Sequence, residues 1–110
     1  MITNLFSLLQ THFPDKSPRT IAQTTTHVAT KMFIYENPQL KNSLLFIICY
    51  FSSNEPEVPL LEWTQHSVLS SYSEEDQKIL AEYFIQIDNE LKLYPFSTKE
   101  IIGWIREVLN

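Results

Sequence analysis

The chain reads as an all-α protein, a compact bundle or orthogonal array of about six helices around a buried central third helix. Three observations predict it. Apolar residues recur at spacings of three and four along most of the 110 residues. Helix N-cap signals recur at short intervals. Only one glycine and six prolines interrupt the sequence, and Pro14, Pro18 and Pro38 stand where helices are expected to begin or end. With 44% hydrophobic and 19% charged residues, the composition is that of an ordered globular chain. No linker or internal repeat divides it, so residues 1–110 read as a single domain.

The first helix is predicted over 2–13. Ile2, Leu5, Phe6, Leu9 and Phe13 form one stripe, closed by Pro14. This opening stretch has neither a basic flank nor a small-residue cleavage site, so it is read as an amphipathic helix and not as a signal peptide. The second helix, 18–35, starts from Ser17 as the N-cap, with Pro18 at the first helical position. Its apolar stripe is Ile21, Thr25, Val28, Met32 and Tyr35. A threonine on such a stripe can return its hydroxyl to a carbonyl one turn back, and Ala22, Thr26 and Ala29 are small enough to let a neighbouring helix come close.

The third helix, 38–51, is expected to start at Asn37 and Pro38 and contains SLLFIICYF. Eight apolar residues from Leu44 to Phe51 fall far short of the roughly 20 that a membrane span needs. A helix apolar on nearly every side belongs in the middle of a bundle. Ser52 to Pro59 follows as a surface loop bearing Glu55 and Glu57, stiffened by its prolines. A fourth helix over 60–71 rests on Leu61, Val68, Leu69 and Tyr72.

The fifth, 74–91, begins after Ser73 with Glu74, Glu75 and Asp76 at the positive end of the helix dipole, and carries Leu80, Phe84, Ile87 and Leu91. Residues 84–94 also fit two short strands around Asp88 and Asn89, which would suggest a winged-helix layout. The sixth, 98–109, opens on a capping box of Ser97 and Glu100 and a hydrophobic staple of Phe96 and Ile101. Its apolar face, with Trp104, is broad enough to suggest a homodimer.

Several chemistries find no support. Gly103 is the only glycine, whereas phosphate-cradling loops need several; it is read as a close approach of a neighbouring helix or a tolerated destabilising residue. Cys49, between Ile48 and Tyr50, cannot form an internal disulfide and is read as a packed thiol in a reducing, cytoplasmic setting. His12, His27 and His66 each lack a second histidine or cysteine three or four residues away, so no metal or cofactor is expected. No catalytic residues are assigned, and the chain is not read as an enzyme. A ligand pocket among the fourteen aromatic residues is the weaker alternative.

Charge is the strongest signal. Residues 1–50 carry four bases and two acids, while 51–110 carry eleven acids and four bases, so the net charge of −5 arises in the second half. From Glu55 to Glu90, nine acids face Lys78 alone. Part of this suits helix termini and i,i+4 pairs such as Glu74 with Lys78. The rest suggests a patch that steers a basic partner. The expected function is therefore a non-enzymatic protein-interaction module of the adaptor, chaperone, inhibitor or immunity type. Its predicted contacts are Glu55, Glu57, Glu62, Glu74 and Glu75 as steering charges and Trp63 as anchor, with Tyr72 and Trp104 as further aromatic candidates. The alternative is a nucleic-acid-associated regulator, or a subunit of a nucleoprotein complex, that meets phosphate through Lys16, Arg19 and Lys31, although eight scattered bases weigh against general nucleic-acid binding.

Overall fold

The computed structural model describes residues 4–54, 62, 67–92 and 94–110. Among them are five α-helices: α1 (Leu5–His12), α2 (Pro18–Glu36), α3 (Lys41–Asn54), α4 (Glu74–Leu91) and α5 (Thr98–Leu109). Two 3-10 turns lie at Pro38–Leu40 and Ser67–Ser71, and there is no strand among the described residues. The radius of gyration, 13.4 Å, is close to the roughly 13 Å of a packed chain of this length.

Three helix starts follow directly from side-chain capping. Ser17 Oγ accepts from the Thr20 N–H at 3.2 Å, with Pro18 at the first helical position. Ser73 Oγ accepts from the Asp76 N–H at 3.1 Å. At α5 the reciprocal box is complete: Ser97 Oγ accepts from the Glu100 N–H at 3.1 Å, and Glu100 Oε2 accepts from the Ser97 N–H at 3.2 Å. Helix α4 runs unbroken through Asp88 and Asn89 to Leu91, so the two-strand alternative for 84–94 is excluded.

Other starts differ from expectation. Asn37 closes α2 instead of opening the next helix, its backbone N–H donating to the Phe33 carbonyl at 2.8 Å. Its side-chain amide donates to the same carbonyl at 3.3 Å. Pro38 then starts only a 3-10 turn, and α3 begins at Lys41. Among the described residues helix α1 starts at Leu5, and Asn4 gives it no side-chain cap; residues 2 and 3 of the predicted helix lie outside them. The cap comes from α4: Glu90 accepts from the Leu5 N–H at 2.7 Å and the Phe6 N–H at 2.8 Å, one with each carboxylate oxygen. A carboxylate on the first free N–H groups of a helix is favoured by hydrogen bonding and by the dipole together. Of the predicted helix 60–71, residues 60, 61 and 63–66 lie outside the described residues; 67–71 form the second 3-10 turn.

Among the described residues the helix with the most packing partners is α2, not α3: it lies against α1, α4, α5 and the Pro38–Leu40 turn. Its inward face is Ile21, Ala22, Thr25, Thr26, Ala29, Thr30 and Phe33. Val28 and Met32 sit at its edge, and Tyr35 is 88% exposed. The small residues explain the shift, because a helix surrounded by others packs through the side that lets them come closest. Thr25, Thr26 and Thr30 are buried without unsatisfied hydroxyls, donating to the carbonyls of Ile21 (2.7 Å), Ala22 (3.0 Å) and Thr26 (2.7 Å).

Helix α3 packs chiefly on α5 and the Pro38–Leu40 turn through a single stripe, Leu44, Ile47, Ile48 and Phe51. Phe46 is 58% exposed, and Leu45, Cys49 and Tyr50 are half-buried. The uniformly apolar run is thus one-sided in its burial. In α5, Ile101, Ile102, Trp104, Ile105 and Leu109 are all covered within the chain, so the argument for a dimer through this face no longer stands. Gly103 is exposed, and a Cβ there would meet nothing within 4 Å, which leaves no close approach to explain it.

Candidate functional site

Three of the six predicted contacts, Glu55, Glu57 and Trp63, lie outside the described residues. Glu62 is exposed. Glu74 and Glu75 are brought together with Asp76 on the first turn of α4 by the Ser73 cap, and both are exposed. Trp104 is not available to a partner: it is buried, edge-on to Phe96 at 5.6 Å between ring centroids. Tyr72 is half-buried against the core.

The acidic side of α4 continues beyond its first turn. Glu75, Ile79, Glu82 and Gln86 follow at spacings of four, three and four, which places them on one face of the helix. The last three meet α2 across an open groove of about 140 Å³. Met32, Phe33, Ile79 and Tyr83 supply its apolar lining, while Glu36 from α2 and Glu82 from α4 stand as exposed carboxylates on opposite walls. No lysine or arginine lines it. Neither carboxylate belongs to an ion pair among the described residues. The apolar stripe expected from the sequence includes Met32, which is only half-buried and lines this groove. The missed signal was the pair of heptad-like spacings, 29, 32, 33, 36 on α2 and 75, 79, 82, 86 on α4, each putting carboxylates beside apolar residues.

The basic candidates are divided. Lys16 and Lys31 are exposed. Arg19 is engaged by the protein itself: its Nη1 lies 2.6 Å from Glu100 Oε1 and its guanidinium carbon 5.3 Å from the centre of the Phe96 ring. Further along the same helix pair, His27 Nε2 is 2.7 Å from Glu107 Oε2, and Gln23 Nε2 donates to that oxygen at 3.0 Å. These contacts clasp α2 to α5 along a solvent-exposed seam.

The clasp lowers both of its carboxyls. Hydrogen bonding from Arg19, then from the Ser97 N–H, holds Glu100 below the ordinary glutamate range. Gln23, then His27, does the same for Glu107. A depressed carboxyl contributes stability above its unfolded-state value and loses it as the pH falls through the folded-state value. Thermal melts of the wild type and of a Glu100→Gln, Glu107→Gln double variant are therefore expected to converge as the pH drops from about 5 to about 3. A gap that stays constant over that range would show that the clasp contributes nothing through ionisation. Glu107 is exposed and Glu100 partly so, which keeps the change small.

Among the described residues no helix is long and apolar enough to cross a membrane, and no cluster of three or more potential metal ligands is present. No family model matches the chain, and neither do the curated proteins or the solved structures with which it was compared.

Proposed function

We propose that the chain is a non-enzymatic protein-interaction module, of the adaptor, chaperone, inhibitor or immunity type, which receives a basic protein on the acidic side of α4. The observation that carries this reading is the row of exposed carboxylates, Glu74, Glu75 and Glu82, joined by Glu36 across an apolar groove without a neutralising base. Fields of a single sign accelerate encounter with an oppositely charged partner and reject others. Glu55, Glu57 and Glu62 precede α4 in the same acidic stretch and are assigned to steering, with Trp63 as the anchor. A free Cys49 fits a reducing, cytoplasmic setting.

The test begins with recovery of bound protein and bound nucleic acid from a native lysate at low and at moderate salt. Association of the recovered protein is then followed by stopped flow. Substituting Glu55, Glu57 and Glu62 by Gln, and separately Glu74 and Glu75, is expected to slow association by about tenfold at low salt, the order by which steering raises on-rates. An on-rate unchanged in both variants and insensitive to salt would sink the reading. Recovery of nucleic acid that is lost on adding salt would instead move the contact to Lys16 and Lys31.

A further inference from the structure

We infer that the groove between α2 and α4 is an anchor site for one arginine side chain of the partner, a reading that rests on the interaction function proposed above. Size excludes most other occupants. At about 140 Å³ the groove is well below the roughly 300 Å³ at which pockets for drug-sized ligands begin. Even one turn of a helix about 10 Å across is larger than that volume. One long side chain fits.

Its chemistry is that of a cation on an apolar stem. Met32, Phe33, Ile79 and Tyr83 offer a surface along which methylenes can lie, and Glu36 and Glu82 meet the charged end from opposite helices. A guanidinium suits two separated carboxylates better than an ammonium does. Its planar fork presents five N–H donors at fixed angles, whereas lysine is a compact, strongly hydrated point charge. Asn37, which also lines the groove, adds to this: its side-chain amide nitrogen already donates to the Phe33 carbonyl, which leaves Oδ1 as an acceptor. The chain uses the same combination within itself, where Arg19 meets a glutamate and lies over an aromatic ring.

The experiment is a titration of the 15N-labelled protein with an alanine-based helical peptide carrying three lysines and one central arginine. Two further peptides place citrulline or lysine at the centre. Amide shifts at Met32, Phe33, Glu36, Ile79 and Glu82 are expected, with affinity about tenfold weaker for citrulline, for Glu36→Gln with Glu82→Gln, and for Gln86→Lys, which supplies a tethered competing cation. Lysine should fall between arginine and citrulline. Binding with shifts confined to Glu74–Asp76 and untouched by the three substitutions overturns the anchor site and leaves the acidic-surface reading standing. Failure of every basic peptide to bind overturns both. Groove shifts that follow the protein's own concentration and not the peptide's would make the occupant a second copy of the chain, and would also overturn the arginine site.

Discussion

Phe84→Ala is expected to lower the free energy of unfolding by about 3–5 kcal/mol, while Phe46→Ala, the same change in the preceding helix α3, stays within about 0.5 kcal/mol. Phe84 is 0% exposed, on the inward face of α4 with Leu80, Ile87 and Leu91, and its ring centre lies 5.3 Å from that of Tyr83. Truncation removes the transfer free energy of a whole ring and leaves a void that helices fixed at both ends fill only in part. Phe46, at 58% exposed, loses neither packing nor burial to the same extent. Set against a total stability of about 5–15 kcal/mol for a domain, the Phe84 change alone brings the chain near its unfolding threshold. Urea unfolding followed by circular dichroism measures both variants. Equal midpoints would mean that SLLFIICYF is buried all round after all and that the one-sided packing of α3 is wrong.

The two phenylalanines also show what the sequence does and does not disclose. Both lie in strongly apolar helical segments, and no local property separates them; only the packing of α3 onto α5 through Leu44, Ile47, Ile48 and Phe51 turns Phe46 outward. Signals that act within one turn were legible. The Ser17, Ser73 and Ser97 caps fixed three helix starts because donor and acceptor are three residues apart. The cap of α1 was not legible, since its carboxylate, Glu90, arrives from 85 residues away. Asn37 was misread because an Asn before a proline can end one helix as well as begin another, and here the Phe33 carbonyl competes for it. For the candidate site, Glu75 could be chosen from charge alone. Glu36 could not, because it stands in the basic half and becomes part of the acidic groove only when α2 is laid against α4. Arg19 was the converse case, a base offered to phosphate in the sequence and taken by Glu100 in the fold.

Thr30 and Tyr83 are expected to be unequal partners in a double-mutant cycle, and the asymmetry follows from which hydroxyl keeps a second bond. Their oxygens lie 2.6 Å apart in the core, and Thr30 also donates to the Thr26 carbonyl at 2.7 Å. The threonine proton is thus committed, so Tyr83 must be the donor of the pair. Tyr83→Phe removes one bond but leaves Thr30 satisfied, at a cost of about 0.5–1.5 kcal/mol. Thr30→Val strands a hydroxyl on a residue only 3% exposed, at a cost of about 1–3 kcal/mol. Once Tyr83 is already Phe, the valine substitution removes no partner of a buried donor, so the double variant falls well short of the sum, by about 1 kcal/mol or more. Additive costs would place a water or another acceptor on the tyrosine. Alkaline pH gives an independent check. Burial pushes the Tyr83 hydroxyl well above its ordinary value of 10.0, so its contribution is whole below that pH and is lost as the unfolded chain begins to ionise above it. The wild type should therefore lose stability above about pH 10 faster than Tyr83→Phe does. Because the same ring lines the groove between α2 and α4 and stands 4.7 Å from Phe33, the hydrogen bond that fixes its depth also fixes the floor on which a partner's side chain would rest.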